Sequence, residues 1–203
     1  MSVEIFVARH GQNHDNAEGL LNGHRDRPLT ELGRDQARNA EKAAVEMGLH
    51  FDKVYSSPLL RAFETAEIIS DAMGLSEPEK MDILIERDFG DMTGKMISDI
   101  PQLYADDLLV TDTVTYALSP PNAETFPELV ERGKEILATV RAKHVGGKVL
   151  LVCHGDIGKM IYAAATGLDW KDVLEKFHFG NCDLIDINGE GDVHKIKLEQ
   201  QNT

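Results

Sequence analysis

Two short apolar stretches constrain the fold of this chain more than any other feature, because both lead into the dipeptide His-Gly. The first covers residues 3–8 and is followed by Arg9-His10-Gly11, and the second covers residues 148–153 and is followed by His154-Gly155. Runs of this length that are rich in Val, Ile and Leu predict buried strands. Ligands of open α/β sheets bind beyond the carboxyl ends of the strands. The pattern therefore predicts that His10 and His154 share one site.

The residues around these histidines indicate that the ligand is an anion. Arg9 has a planar, permanently charged guanidinium that suits phosphate oxygens, and Gly11 is expected to let an anion approach the backbone. Arg61 lies in the first turn of a predicted helix, near the end of a short strand over residues 53–55. Because the net charge is −14, a phosphate site must be a local concentration of positive groups within an acidic protein.

Strands and helices alternate along the chain. Apolar spacing and capping residues predict helices over residues 30–47, 58–73, 126–144 and 156–166, with a short helix from Trp170. Two last strands, over residues 182–187 and 193–198, are expected to flank a turn at residues 188–191. We therefore predict an α/β fold, a three-layer α/β/α sandwich whose sheet is mostly parallel with an antiparallel edge strand.

A single domain over residues 1–203 fits this length, with a cap-like insertion at about residues 91–126 that we expect to hold short helices. The composition, 42% hydrophobic and 28% charged, is typical of a soluble globular protein. The apolar runs are too short to span a bilayer and the start of the chain does not resemble a secretory signal, so we expect a cytoplasmic protein without a membrane partner. The acidic charge argues against nucleic-acid binding.

Neither the cysteines nor the histidines indicate a metal. Cys153 and Cys182 have no disulfide or zinc-type spacing, and the eight histidines form no H-x-x-x-H or comparable motif. We expect no metal or other cofactor. The oligomeric state is open, with a homodimer as one option.

Four blocks of residues occur in the order of a known family. Arg9-His10-Gly11 with Asn16 resembles the signature RHG-x4-N. The remaining matches are Asn22-Gly23, Pro28-Leu29-Thr30 with Gly33 and Gln36-Ala37, then Ser56-Ser57-Pro58-Leu59 with Arg61-Ala62 and Thr65-Ala66, then Glu86-Arg87-Asp88-Phe89-Gly90, and finally Val152-Cys153-His154-Gly155. Together these blocks resemble the histidine phosphatase superfamily, also called the phosphoglycerate mutase-like family, over nearly the whole chain.

This resemblance implies roles for the matching residues and a Rossmann-like sandwich. His10 would be the nucleophile that forms a phosphohistidine, and Glu86 would be the general acid that protonates the leaving oxygen and later activates water. His154 would complete the catalytic set and, in its protonated form, add a third positive charge to those of Arg9 and Arg61. The residues implied in substrate or phosphate binding are Arg9, Asn16, Asn22, Gly23, Arg61 and Gly155.

The basic residues of the insertion distinguish between the phosphatase and mutase activities that the resemblance allows. Phosphoglycerate mutases of this family carry extra basic residues there, whereas residues 91–126 contain only Lys95. We therefore favour a metal-independent phosphatase that acts on a small phosphomonoester. A cofactor-dependent phosphoglycerate mutase is the alternative, and a non-catalytic module that binds a phosphorylated ligand ranks third. Three further arginines, Arg25, Arg27 and Arg87, are candidates for substrate contacts.

Overall fold

A six-stranded sheet forms the centre of the computed structural model, which describes residues 2–188 and the backbone of residues 194–196. The strands, in chain order, are β1 (Glu4–Arg9), β2 (Lys53–Ser56), β3 (Glu79–Lys80), β4 (Leu108–Val110), β5 (Thr115–Ala117), β6 (Lys148–Cys153), β7 (Leu184–Asp186) and β8 (His194–Ile196). The sheet has the order β3-β2-β6-β1-β7-β8. Its first four strands, β3, β2, β6 and β1, are parallel to one another. At the other edge, β7 pairs antiparallel with β1, and β8 pairs antiparallel with β7.

Helices cover both faces of this sheet, with α5, α6 and α7 on one face and α2 and α3 on the other. The helices, in chain order, are α1 (His14–Glu18), α2 (Glu31–Glu46), α3 (Leu60–Ala72), α4 (Ile100–Leu103), α5 (Phe126–Lys143), α6 (Gly155–Thr166) and α7 (Trp170–Lys176). Successive strand residues point to opposite faces, so Ile5 and Val7 of β1 pack with α5 and α6, whereas Phe6 and Ala8 pack with α3. The predicted three-layer sandwich with a mostly parallel sheet is confirmed.

The pairing of β1 with β6 brings the two His-Gly turns together. Glu4 aligns with Lys148 and Arg9 aligns with Cys153, so His10 and His154 follow paired residues at the same end of two adjacent parallel strands. The N–H of His10 donates to the carbonyl oxygen of Cys153 at 3.0 Å, which extends the pairing into the turn.

The insertion differs from its expected structure. It contains the expected short helical elements, which are 3₁₀ turns and the helix α4, but also the antiparallel hairpin of β4 and β5, which was not predicted. Strands of three residues are too short to show the alternation that identifies a strand. The predicted helices agree closely with α2, α5, α6 and α7, and α3 begins at Leu60 rather than at Pro58. The expected turn at residues 188–191 lies largely outside the described residues.

No helix in the described part of the chain is long and apolar enough to cross a membrane.

Gly11 serves packing rather than the approach of an anion, which corrects our expectation. A Cβ atom at residue 11 would lie 2.4 Å from the carbonyl oxygen of Gly33, in the first turn of α2. At Gly155, by contrast, the atoms nearest to an added Cβ would be those of Arg9 and Glu86, at ordinary contact distances from 3.7 Å. Close packing of the backbone therefore requires glycine in the first His-Gly turn, at Gly11, but not in the second, at Gly155.

Gly11→Ala should destabilise the fold because the backbones of the first turn and of α2 would have to separate. We expect the free energy of unfolding to fall by about 1–3 kcal/mol, the range for overpacking of a well-packed site. Urea unfolding followed by circular dichroism measures the effect, with Gly155→Ala as the matched control. Equal stability of the two variants would contradict the packing role of Gly11.

Candidate active site

His10 lies buried at the end of β1 with its ring held in one orientation. Its Nδ1 lies 2.6 Å from the carbonyl oxygen of Gly11, and the Nε–H of Arg61 donates to its Nε2 at 3.2 Å. This geometry assigns the proton to Nδ1 and the lone pair to Nε2. Burial lowers the pKa of His10 well below its ordinary value, and the charges of Arg61 and Arg9 lower it further. The imidazole is therefore neutral, as a nucleophile must be.

Arg61 is fully buried and is fixed by the loop that follows β1. Its Nη1 donates to the carbonyl oxygen of Arg25 at 2.7 Å, and its Nη2 donates to that of Gly23 at 3.0 Å. Burial lowers the pKa of Arg61 to about 10, which leaves the guanidinium charged at neutral pH. Gly23 thus contributes through its carbonyl oxygen, by holding the arginine that lies against His10.

Arg9 supplies a second guanidinium beside His10. Its Nη1 donates to the carbonyl oxygen of Phe179 at 2.7 Å, whereas its buried Nε has no hydrogen-bond partner among the described residues. A phosphoryl oxygen would satisfy such a donor.

His154 lies behind His10 and is neutral before a phosphoryl group binds. Its ring centroid is 5.1 Å from that of His10, and its Nε2 lies 2.8 Å from Oγ of Ser57. Burial lowers the pKa of His154 well below its ordinary value, with further lowering by Arg61 and His10. The positive charge of the site therefore comes from arginine. A bound phosphate dianion would favour protonation of the ring.

Glu86 faces the same site as His10 and Arg61, from the loop that precedes the insertion. Its Oε1 accepts the N–H groups of Arg87 at 2.8 Å and Ile157 at 3.2 Å, and its Oε2 accepts that of Asp156 at 3.4 Å. Two of these donors belong to the first turn of α6, which begins directly after His154. One short segment therefore places both His154 and the carboxyl group of Glu86.

A cavity of about 480 Å³ connects most of the predicted site residues. Those that line it are Arg9, His10, Asn16, Asn22, Arg61, Glu86 and Gly155. His154 and Gly23 lie behind this wall, where they contact His10 and Arg61. No group of three or more His, Cys, Asp or Glu residues that could hold a metal ion occurs within the described residues.

Six further polar residues of the cavity wall were not predicted from the sequence: Thr113, Thr115, Tyr116, Asp156, Lys159 and His178. Burial, together with the charge of Glu86, raises the pKa of Asp156 to about 6. Asp156 and Lys159 lie one turn apart on the helix that follows His154. That spacing was the signal that could have identified them, since both face the site from the start of α6.

The three arginines considered for substrate contacts have structural partners instead. Arg87 is buried and donates to the carbonyl oxygens of Ala117, Leu118 and Glu124, so it joins the Glu86 loop to the insertion. Arg25 forms an ion pair with Asp15 at 2.8 Å, and Arg27 lies 3.9 Å from the same carboxylate. None of the three lines the cavity.

Arg132, on α5, positions the loop that carries Glu86 and was also missed. It donates to the carbonyl oxygens of Ile83, Ile85 and Glu86 and forms an ion pair with Glu124 at 2.7 Å. Sequence alone could not show this, since Arg132 lies 46 residues from Glu86 in the chain.

Comparison with known proteins decides the family. A family model described as "Histidine phosphatase superfamily (branch 1)" matches residues 5–202. The chain belongs to the histidine phosphatase superfamily. Among its relatives are the 2,3-bisphosphoglycerate-dependent phosphoglycerate mutases of Sinorhizobium fredii, 34% identical over 86% of this chain and 84% of the relative, and of Parvibaculum lavamentivorans, 33% identical over 84% and 83%.

Solved structures of the superfamily have the same fold. A mycobacterial glucosyl-3-phosphoglycerate phosphatase is 25% identical, covers 90% of each chain and has a TM-score of 0.76. A phosphoserine phosphatase from Entamoeba histolytica has a TM-score of 0.77 over 97% of this chain and 98% of its own, but at 19% identity it shows the fold alone. The chain is therefore an enzyme of this superfamily, with mutases among its sequence relatives and phosphatases among its structural neighbours.

The buried histidines should make the stability of this protein depend on pH. Below the ordinary histidine pKa of 6.5 the unfolded chain takes up protons that the folded protein does not, so stability falls as pH falls. Each such histidine contributes a slope of up to about 1.4 kcal/mol per pH unit. Asp156 opposes this below about pH 6, because its raised pKa makes the folded protein bind the extra proton there.

His154→Gln should therefore show a shallower loss of stability than the wild type between about pH 6.5 and about pH 5. Urea unfolding at several pH values within this interval measures the slopes, and contributions from the other titrating groups are common to both proteins. Identical slopes would mean that His154 is not held neutral in the fold.

Proposed function

We propose that this enzyme is a metal-independent phosphatase that hydrolyses a small phosphomonoester through a phosphohistidine on His10. The observation that carries the proposal is the composition of the cavity wall. The insertion, all of which the structure describes, contributes apolar and hydroxyl-bearing side chains to the wall but no lysine or arginine: Ile97, Pro101, Thr113, Val114, Thr115 and Tyr116. Lys95 is exposed and lies outside the wall. A mutase must hold a second phosphate or a carboxylate next to the transferred group, which calls for additional cations, and among the described residues the only lysine or arginine that the wall adds to Arg9 and Arg61 is Lys159 of α6.

In the first step, Nε2 of His10 attacks the phosphorus atom and the bond to the leaving oxygen breaks. The leaving oxygen takes a proton from Glu86, while Arg9 and Arg61 stabilise the charge on the three equatorial oxygens. In the second step, water attacks the phosphorus atom and passes a proton to Glu86. The phosphorus–nitrogen bond breaks, which returns neutral His10 and releases inorganic phosphate.

The mutase alternative is favoured by one observation, the names of the relatives that are 33–34% identical. In that activity the phosphohistidine would pass its phosphoryl group back to a hydroxyl of the bound acid rather than to water.

The test is the release of inorganic phosphate from a panel of phosphorylated metabolites in the presence of EDTA, run beside an assay for isomerisation of 3-phosphoglycerate to 2-phosphoglycerate. We expect hydrolysis of at least one compound that is insensitive to EDTA. Isomerisation that depends on trace 2,3-bisphosphoglycerate, without release of phosphate, would overturn the phosphatase assignment in favour of the mutase.

We also propose that the partner is a small phosphorylated molecule rather than a nucleic acid or a membrane, which the net charge of −14 supports. A cytoplasmic location is supported by Cys153 and Cys182, which are both buried and unpaired.

A further inference from the structure

Two buried polar atoms beside His10 have no hydrogen-bond partner among the described residues, namely Nε of Arg9 and Nδ1 of His154. Buried polar side-chain atoms are usually paired, so an unpaired one next to a nucleophile indicates a place for a ligand atom. Nε of Arg9 is always a donor. Whether Nδ1 of His154 donates or accepts depends on which ring nitrogen carries the proton of the neutral imidazole.

Ser57 contacts the other ring nitrogen of His154 and is itself fully buried. Ser56, the last residue of β2, pairs with Val152 of β6, and the N–H of Ser57 donates to the carbonyl oxygen of Val152 at 3.0 Å. The turn that follows β2 therefore lies beside the turn that follows β6. This pairing places Oγ of Ser57 2.8 Å from Nε2 of His154.

The hydrogen bonds of Ser57 determine the tautomer of His154. A hydroxyl group has one hydrogen to donate, and Oγ of Ser57 already accepts the N–H of Leu59 at 3.3 Å. Among the described residues, the acceptor that this hydroxyl contacts is Nε2 of His154. A proton on Nε2 would leave both the hydroxyl hydrogen and the lone pair of Nδ1 buried without partners. With the ring proton on Nδ1, the hydroxyl donates to Nε2 and only the Nδ1–H group remains to be paired.

A ring proton on Nδ1 suits a phosphoryl group, whose oxygens accept hydrogen bonds. A lone pair at the same place would repel these oxygens, whereas an N–H group donates to them. We propose that Ser57 is a positioning residue that holds His154 in the Nδ1–H tautomer, so that the neutral ring donates a hydrogen bond to the transferred phosphoryl group. This inference rests on the proposed phosphoryl transfer to His10 and adds a residue to it.

The same tautomer gives the two adjacent histidines opposite roles. In His10 the proton on Nδ1 lies against the carbonyl oxygen of Gly11, which leaves the lone pair of Nε2 for the attack on phosphorus. In His154 the hydroxyl of Ser57 occupies the lone pair of Nε2, and Nδ1 carries the proton. His154 therefore has no free lone pair with which to attack, and it acts as a donor beside the nucleophile.

The direct test is the ¹⁵N NMR spectrum of the histidine rings in the ligand-free protein near neutral pH. The chemical shift of a ring nitrogen distinguishes an N–H group from a lone pair, and the signals of His154 are those that His154→Gln lacks. We expect the hydrogen on Nδ1 in the wild type, and a mixture of tautomers in Ser57→Ala. Ser56→Ala is the matched control, because its hydroxyl is equally buried but donates to the backbone carbonyl of Ser57, at 2.9 Å. It should keep the wild-type tautomer.

The same variants connect the tautomer with turnover. We expect kcat/KM for p-nitrophenyl phosphate to fall by about 10- to 100-fold in Ser57→Ala, the usual cost of removing the partner that orients a metal-ligating histidine. Ser56→Ala should stay near the wild-type value. Inorganic phosphate added to the wild type should shift the Nδ1 signal of His154 while its hydrogen remains in place.

The possible outcomes separate this inference from the proposed function. A hydrogen on Nε2 of His154 in the wild type, or an Nδ1 signal that phosphate leaves unmoved, would overturn the inference even if Ser57→Ala fails to fold. Full activity or an unchanged tautomer in folded Ser57→Ala would also overturn it, and the phosphatase assignment would stand. Failure to release phosphate from any phosphomonoester would overturn the assignment itself, which the spectrum of the ligand-free protein does not depend on. Circular dichroism establishes which variants are folded.

Discussion

His10→Ala should abolish turnover while leaving the fold intact. We expect kcat to fall by at least about 10³-fold, because the variant has no group in place to form the covalent intermediate. The expected effect on folding is small, since the side chain makes only one hydrogen bond to the backbone, from Nδ1 to Gly11, and borders a cavity. Release of phosphate from the best substrate of the panel measures the loss.

A direct readout distinguishes loss of the nucleophile from loss of binding. Rapid quenching of the wild type with a phosphate-labelled substrate should trap acid-labile label on the protein, and His10→Ala should trap none. His50→Ala, at an exposed histidine on the surface, is the matched control and should retain both activity and label. Substantial turnover by folded His10→Ala, or label that persists in it, would contradict the assignment of the nucleophile.

Glu86→Gln should slow the hydrolysis of alkyl phosphates far more than that of p-nitrophenyl phosphate. An alkoxide leaving group needs a proton from the acid, and a positioned acid contributes roughly 10²–10⁴-fold, whereas p-nitrophenolate leaves without one. We expect kcat/KM to fall by roughly 10²–10⁴-fold for the alkyl esters and by less than about 10-fold for the aryl ester. The amide oxygen of Gln can still accept the N–H groups of Arg87 and Ile157, so the loop should keep its place.

Glu135→Gln, an exposed substitution on α5, provides the control for this comparison and should affect neither substrate. If Glu86→Gln lowered the rates of both esters by the same factor, Glu86 would not be the general acid. Asp156 would then be the other carboxyl group of the cavity wall to test, since its pKa of about 6 makes it a competent proton donor.

The sequence predicted those parts of the site that depend on the residue pattern of a single strand or turn. Residues 3–8 and 148–153 form adjacent strands because short β-branched runs in an alternating α/β chain favour a buried parallel sheet. Parallel strands end on the same side, so the positions of His10 and His154 followed from the strands themselves. The resemblance of the Arg61 and Glu86 blocks to a known family then supplied residues whose partners are distant in the chain.

The hairpin of β4 and β5 could not be predicted in the same way. Its strands of three residues lie among aspartate and proline residues, which favour turns, and they contact Arg87 and Phe89 of the Glu86 loop, which are distant in the chain. Arg87 is a second example of what the sequence could not predict. Its sequence context suggested a substrate contact, but its guanidinium is used by carbonyl oxygens of residues 117, 118 and 124.

The sequence by itself determined the layers of the fold, the end of the sheet where chemistry takes place, and the two histidines that meet there. Only the tertiary structure decided the charge of His154, because a pKa depends on burial and on neighbouring charges that no stretch of sequence contains. The same holds for the role of Arg132 in placing the Glu86 loop. That role depends on which distant backbone groups the folded chain brings within hydrogen-bond reach, and that distance is a property of the packed molecule.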